Sequence, residues 1–215
     1  MRANRDPEAT KKRLLDAAVR LMSTNGYAAT SVDDVCRVAG VTKGGFFHHF
    51  ATKEDLAKEA LHCFYAATGG RVLAVVFPSN LDPLQRVYGR LEVLLDIARN
   101  PDIPKTCLIG NLTQEVSPTH PEIRAVCDQL FSQWVQGVGD ELAEAKAKHA
   151  PEASWDPYSL ARHCLATIQG SLLLAKSSQD PTIPEQSLLH YRAYLKTLFE
   201  GAEGGEGKHT IQSTG

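Results

Sequence analysis

Residues 42–50 carry the side chains with the clearest chemistry in the chain, in the order TKGGFFHHF. The lysine is a cation, and the histidine rings can donate and accept hydrogen bonds. Phe46 and Phe50 are four residues apart, so they share one helix face and are expected to anchor the helix inward. A surface poor in side chains lets another molecule's backbone approach closely, as in the major groove of a duplex. The face opposite the two anchors is of this kind and consists of Lys43, Gly44, Gly45 and His48.

A helix-turn-helix pattern positions this segment. Ser31 is predicted to cap a first short helix, because its hydroxyl can accept an unpaired amide of the first turn, and Asp34 suits that turn. Gly40 fits the position after this helix, where glycine tolerates a left-handed backbone. Thr42 then caps the second helix. Helix, tight glycine turn and helix form the helix-turn-helix signature. The apolar face of the first helix comprises Val32, Val35, Cys36 and Ala39.

Two further helices are predicted on either side of this pattern. An amphipathic helix begins near Pro7 and ends near Gly26. After the pattern, a long helix is predicted for residues 52–76, with a bend at its glycine pair. Lys53 lies in the first turn of that helix, where the dipole disfavours a cation. We interpret Lys53 as a contact to an external anion such as a DNA phosphate, with a solvated lysine as the alternative.

Composition and charge restrict the class of protein. The chain has 215 residues, of which 43% are hydrophobic and 22% are charged, as in folded globular proteins. The net charge is −2, which excludes a basic nucleic-acid coat protein. Residues 1–60 carry a balance of +2 and the remainder −4. A mildly basic head on an acidic body fits a protein that touches phosphate at one end.

The cysteines and apolar runs give an expected location. The five cysteines are odd in number and form no CxxC pair, so neither a disulfide framework nor a zinc ribbon is expected. The first residues lack the apolar core of a secretory signal. No apolar run approaches the ~20 residues of a membrane span. We therefore expect a cytoplasmic protein that does not enter the membrane.

The periodicity after residue 80 is helical throughout, and no convincing strand pattern is present. The predicted fold class is all-α, with an N-terminal three-helix head that contains the helix-turn-helix, followed by a larger helical bundle. We predict a DNA-binding domain at residues 7–51 and a ligand-binding and dimerisation domain at residues 52–200. The glycine-rich, polar residues 201–215 are predicted to be a disordered tail.

Residues 14–56 resemble the head of a tetracycline-repressor-like (TetR-family) transcriptional regulator in spacing, glycines, aromatic helix end and following lysine. The matching positions include AGV at 39–41, KG at 43–44, FFHHF at 46–50 and KEDL at 53–56. The resemblance implies a homodimer whose heads read a palindromic operator in double-stranded DNA. It also implies a helical body that binds a small-molecule effector, and release of the DNA when that effector binds. We expect the effector to act by shifting the helix predicted for residues 52–76.

The resemblance also assigns roles to residues of the head. Phe47 departs from the family, which commonly has a tyrosine there whose hydroxyl contacts phosphate, so we expect a packing contact instead. Dimerisation is expected through helices near residues 157–176 and 185–199. The residues implied in DNA binding are Ser31, Thr42, Lys43, Gly44, Gly45, Phe47, His48, His49 and Lys53.

Apolar side chains of the body are candidates for the lining of an effector pocket, because helix bundles commonly place sites between helices. For each residue taken singly, a plain core position is the alternative. The lack of an obvious charge cluster favours a mostly apolar or aromatic effector. The candidates are Phe64, Leu94, Cys107, Cys127, Phe131, Trp134 and Ile168.

Functions other than a ligand-controlled repressor are also compatible with parts of the sequence. Cys107 lies in an apolar segment where some members of the resembled family carry an electrophile- or oxidant-sensing thiol, although a buried structural cysteine is the simpler interpretation. A DNA-binding architectural protein without ligand control is a further alternative. His48 and His49 point about 100° apart on a helix, so they are not expected to share a metal. Because the common catalytic motifs are absent, neither an enzyme nor a cofactor is expected.

Overall fold

The computed structural model of the protein describes residues 6–203, and within that range it contains helices and no strand. The all-α prediction is therefore confirmed. The helices are α1 (Pro7–Asn25), α2 (Val32–Ala39), α3 (Lys43–His49), α4 (Lys53–Ala67), α5 (Gly69–Leu73), α6 (Pro83–Arg99), α7 (Leu108–Val116), α8 (Pro121–His149), α9 (Pro157–Ser178) and α10 (Ile183–Glu203).

The described residues divide into two compact units. The first unit comprises residues 6–74 and 104–134, and the second comprises residues 75–103 and 135–203. The helix-turn-helix domain predicted for residues 7–51 lies wholly within the first unit, which also includes α4, α5, α7 and the beginning of α8. The assignment of DNA binding, effector binding and dimerisation to sequence ranges stays a prediction.

The three-helix head forms as its local signals predict. The Ser31 hydroxyl accepts the amide of Asp34 at 3.1 Å, and the Asp34 carboxylate accepts the amide of Ser31 at 3.2 Å. Gly40 ends α2 in the left-handed conformation with φ +62°. The Thr42 hydroxyl accepts the amide of Gly45 at 3.1 Å and so begins α3. These caps satisfy amides that helix ends leave unpaired.

The long helix predicted for residues 52–76 is interrupted. α4 ends at Ala67, α5 is a separate short helix, and Thr68 between them has φ −123° and ψ −93°. A Cβ atom on Gly69 would lie 3.1 Å from Cε2 of Tyr65 and 3.2 Å from Cδ1 of Trp134. The glycines therefore do more than weaken a helix, because two aromatic rings occupy the space that side chains would need.

The second unit contains α6, the later part of α8, α9 and α10. Arg90 of α6 is buried and forms an ion pair with Glu141 of α8. Its guanidinium also donates to the carbonyl oxygen of Val75 at 3.1 Å and lies 4.9 Å from the ring centroid of Phe77. A buried arginine needs such partners, because an unpaired buried charge is strongly destabilising.

The end of α10 differs from the prediction. Residues 201–203 are helical, although we predicted a disordered tail from residue 201. The rest of that predicted tail, residues 204–215, lies outside the described residues.

Candidate nucleic-acid interface and effector-binding residues

Helix α3 buries one side and exposes the other. Phe46 and Phe50 are almost fully buried, with ring centroids 5.8 Å apart, as their spacing predicts. Lys43, Gly44 and His48 are exposed. The exposed side is therefore available to a partner, and the aromatic pair fixes the helix to the head.

The two glycines of α3 have different surroundings. A Cβ atom on Gly44 would meet nothing within 4 Å. A Cβ atom on Gly45 would lie 2.9 Å from Cγ1 of Val41 and 3.4 Å from Oγ1 of Thr42. Gly44 therefore belongs to the open face, whereas Gly45 is required by packing within the helix-turn-helix.

Phe47 is more exposed than a packing role requires. Its ring meets that of Phe46 edge-to-face with centroids 5.1 Å apart, but 54% of the residue is accessible to solvent. A large aromatic side chain at the edge of the open face can contribute apolar contacts to a docked partner.

Charged and titratable groups complete this face. The ammonium group of Lys43 lies 3.0 Å from Asp33 of α2, in an exposed ion pair. His48 and His49 stack edge-to-face with centroids 5.1 Å apart. Among residues 6–203, no group of three histidine, cysteine or acidic side chains is arranged to hold a metal.

Lys53 has a partner that the sequence did not reveal. Its ammonium group donates to the carbonyl oxygen of Tyr27 at 3.0 Å and lies 4.1 Å from the centroid of the Tyr27 ring. The lysine therefore connects the start of α4 to the turn between α1 and α2. This internal partner accounts for a cation in the first turn of α4 without an external phosphate.

The two capping hydroxyls are exposed but already engaged. Ser31 donates its hydroxyl hydrogen to Asp34 at 2.6 Å, and Arg37 pairs with the same carboxylate at 2.5 Å. These hydrogen bonds, that of Ser31 first, lower the pKa of Asp34 from 3.8 to about 2. Ser31 and Thr42 therefore define the ends of α2 and α3 as well as lying on the surface of the head.

The predicted effector-lining residues fall in both units. Cys127 and Trp134 are buried in the first unit, whereas Phe64, Cys107 and Phe131 of that unit are half-buried. Burial raises the pKa of the Cys127 thiol. The second unit contains the other two residues, Leu94 and Ile168, both half-buried.

A small cavity lies within the second unit, among α6, α8, α9 and α10. Its volume is about 20 Å³, and Leu94, Arg90 and Tyr191 contribute to its lining. Such a volume holds about one water molecule. Ile168, the other predicted lining residue of this unit, does not line the cavity.

Tyr65 is a candidate that the sequence analysis missed. Only 8% of the residue is exposed, and its hydroxyl has no hydrogen-bond partner among the described residues. The ring lies beside Gly69, which also adjoins the predicted lining residue Trp134. Burial raises the pKa of the Tyr65 hydroxyl, so it stays a neutral donor. In the sequence, Tyr65 was indistinguishable from an ordinary core aromatic of α4.

The second unit exposes large apolar side chains on α9 and α10. Leu173 and Leu174 are 53% and 58% exposed, and Tyr194 of α10 is 47% exposed. A Cβ atom on Gly170 would meet nothing within 4 Å, so another helix can approach α9 closely there. These residues lie in the two segments predicted to mediate dimerisation. Within residues 6–203, no helix is long and apolar enough to cross a membrane.

Family models match both the helix-turn-helix part of the chain and the helical part that follows it. Residues 14–60 match the family model for bacterial regulatory proteins of the tetR family. Residues 83–191 match the model for the tetracyclin repressor-like C-terminal domain. The HTH-type transcriptional repressor DhaR of Mycobacterium sp. (strain GP1) is 24% identical over 88% of this chain and 90% of its own length.

Solved structures share the fold. The crystal structure of a TetR transcriptional regulator from Chloroflexus aurantiacus J-10-fl has a TM-score of 0.76 at 25% identity, over 88% of this chain and 96% of its own. The reduced form of E. coli NemR has a TM-score of 0.73 at 23% identity, over 86% and 95% of the two chains. With the second family model matching half of the chain, this protein belongs to the TetR family of bacterial transcriptional regulators and is a helix-turn-helix DNA-binding protein.

Proposed function

We propose that the protein is a homodimeric repressor that is released from a palindromic operator by a small, mostly apolar effector. In each subunit, α3 enters a major groove with Lys43, Gly44 and His48 facing the bases. Operator recognition by α3 is supported above all by the open face at Gly44, where the helix backbone can approach another molecule without an intervening side chain. Lysine to guanine is the ordinary base contact available to this face.

Dimerisation is proposed through α9 and α10. The exposed side chains of Leu173 and Leu174 and the open position at Gly170 support this surface, because large exposed apolar residues mark protein interfaces. Two copies of α3 would then contact half-sites one helical turn apart, roughly 34–36 Å as in other dimeric helix-turn-helix proteins.

The effector is proposed to bind in the first unit, beside Tyr65 and Trp134. A buried hydroxyl without a partner is destabilising by about 1–3 kcal/mol, so an effector with one hydrogen-bonding group would recover that energy. Phe64, Phe131, Cys107 and Cys127 would supply the apolar surroundings. Release requires that the effector bind the DNA-incompetent conformation better than the DNA-bound one.

The proposal is tested by selecting bound duplexes from a random pool and then screening small molecules against the complex. We expect a palindrome with half-sites about one turn apart, and compounds that raise both the melting temperature and the operator Kd. Tyr65→Phe, which removes only the hydroxyl, should weaken the effector's action and leave operator affinity in its absence unchanged. A wild-type response in Tyr65→Phe would remove this residue from the effector site.

A thiol sensor on the same fold is the second candidate. Cys107 is half-buried and caps α7, with its sulfur accepting the amide of Gly110 at 3.5 Å. Modification of this sulfur would break the cap. The similar NemR structure is of a reduced form, which supports a redox-sensitive member of this fold.

Alkylation separates this candidate from simple effector binding. A thiol reagent should release operator from the wild-type protein and not from Cys107→Ser. Cys63→Ser is the matched control, because Cys63 is exposed and should react without affecting DNA binding. Equal release from Cys107→Ser and the wild type would exclude the sensor. A protein that responds to no thiol reagent and no compound would instead be an architectural DNA-binding protein.

A further inference from the structure

Glu115 on the last turn of α7 holds the turn between α1 and α2. The amide of Tyr27 donates to Oε2 of Glu115 at 2.7 Å, and the amide of Ala28 donates to Oε1 at 2.7 Å. One carboxylate therefore accepts two consecutive backbone amides from a segment almost ninety residues earlier in the chain. Hydrogen bonds to an ionised acceptor are about twice as strong as neutral ones.

Gly26 provides the space for this carboxylate. Its φ is +88°, a conformation that side chains rarely adopt. A Cβ atom at this position would lie 2.7 Å from Oε2 of Glu115 and 3.2 Å from its Cδ. The glycine that ends α1 is therefore also the residue that lets Glu115 reach the two amides.

Other contacts converge on the same turn. Asn111, one helical turn before Glu115, donates to the carbonyl oxygen of Ser23 in the last turn of α1 at 3.2 Å. Tyr27 is only 6% exposed, and its ring meets His120 edge-to-face with centroids 5.0 Å apart. Together with Lys53 on the Tyr27 carbonyl, these contacts join the turn to α4, α7 and the start of α8.

Glu115 affects the orientation of the α1–α2 turn more than the stability of the head. Its side chain is exposed, so water can replace its oxygens at the two amides when the carboxylate is removed. The core of the head, built on Leu14, Val35 and Phe46, does not include Glu115. Loss of the carboxylate should therefore loosen the turn while the head stays folded.

We propose that Glu115 is a positioning residue for DNA binding: it holds the α1–α2 turn on α7 and thereby sets the orientation in which α2 and α3 meet the operator. Glu115 itself touches no DNA. This role rests on the proposed binding of α3 to the operator, and it identifies α7 as the helix that orients α3.

The direction of the effect of Glu115→Ala distinguishes this role from simple electrostatics. Removing a negative charge from a DNA-binding protein should leave affinity unchanged or increase it. Loss of the positioning contact should instead raise the operator Kd roughly tenfold, within the usual range of coupling between sites. The dependence of log Kd on log salt concentration should keep its wild-type slope, because no phosphate contact is lost. Glu122→Ala, an exposed carboxylate in the first turn of α8, is the matched control and should bind as the wild type does.

Amide hydrogen exchange supplies a readout that does not depend on DNA. In Glu115→Ala, the amides of Tyr27 and Ala28 should exchange faster while the amides of α1 and α2 keep their protection. Glu115→Gln retains one acceptor oxygen and should restore part of the protection and part of the affinity. Gly26→Ala should weaken binding less in the Glu115→Ala background than in the wild type, because the clash with the carboxylate is gone.

Two results would overturn the proposal. One is Glu115→Ala with wild-type operator affinity. The other is loss of exchange protection throughout the head, which would make Glu115 a residue for folding alone. A parallel titration of the wild type shows whether the protein binds the operator at all. If the wild type does not bind, the exchange measurement still reports whether the carboxylate holds the turn.

Discussion

Replacing Gly44 with alanine is expected to stabilise the protein and at the same time weaken its binding to DNA. Gly44 is exposed, is not among the positive-φ glycines of the described residues, and has nothing within 4 Å of the position that an alanine methyl would take. At such a site alanine reduces the freedom of the unfolded chain without strain, which contributes about 0.5–1 kcal/mol. For a chain of this size that is roughly 1–4 °C in Tm.

The same methyl group stands on the face that we assign to the operator. Inserting a methyl into a close-packed contact is destabilising by about 1–3 kcal/mol, which corresponds to a roughly 5- to 150-fold higher Kd. Stability and affinity should therefore change in opposite directions. Urea unfolding followed by circular dichroism gives the first quantity, and fluorescence anisotropy with a labelled operator gives the second.

Two other glycines serve as controls for this experiment. Gly201→Ala lies on α10 with nothing within 4 Å, so it should raise stability without changing operator affinity. Gly45→Ala should lower stability, because its methyl would press on Val41 at 2.9 Å. If Gly44→Ala binds operator with wild-type affinity while its stability rises, the glycine face does not contact DNA, and our assignment of α3 is wrong.

Three further predictions concern charge, acid stability and assembly. Lys43→Ala should weaken operator binding by about 1–3 kcal/mol, as expected for loss of a base contact, and light scattering should find an unchanged oligomer; a wild-type Kd would exclude Lys43 from the interface. Because hydrogen bonds from Ser31 and Arg37 lower the pKa of Asp34 from 3.8 to about 2, its contribution is complete above pH 3.8 and is lost as pH falls through about 2. Thermal midpoints measured across that range should fall more steeply for the wild type than for Asp34→Asn, and parallel curves would contradict this account. Leu174→Lys should give monomers in sedimentation velocity, since a lysine would be buried on the proposed dimer surface, whereas dimers of wild-type stability would place the interface elsewhere.

The sequence predicted the head well because its signals are local. Ser31 and Thr42 cap helices through amides three residues away, and Gly40 adopts its left-handed conformation from the turn itself. Phe46 and Phe50 bury together because four residues bring side chains to one helix face. Each of these features is decided within a few residues, so residue type and spacing were sufficient.

The features that were missed depend on contacts between distant residues. Nothing near Lys53 indicates that its amine would bind the carbonyl of Tyr27, twenty-six positions earlier. In the sequence, Glu115 has no feature that distinguishes it from other acidic residues. Its role depends on the packing of α7 beside the end of α1, which brings it to the amides of Tyr27 and Ala28. At the break between α4 and α5, the ring of the distant residue Trp134 packs beside Gly69, although the glycine pair already indicated a bend. The spacing of the predicted effector-lining residues also did not indicate that they would fall in two different units.

The hold of Glu115 on the α1–α2 turn limits how this regulator can be recombined with others. A hybrid made by grafting residues 6–67 onto a foreign body would leave the amides of Tyr27 and Ala28 facing whatever side chain occupies that place. A bulkier neighbour would also meet Gly26, whose bare backbone is shaped for a carboxylate. The exchangeable cassette is thus discontinuous in sequence: a transplanted head should carry α7 with it.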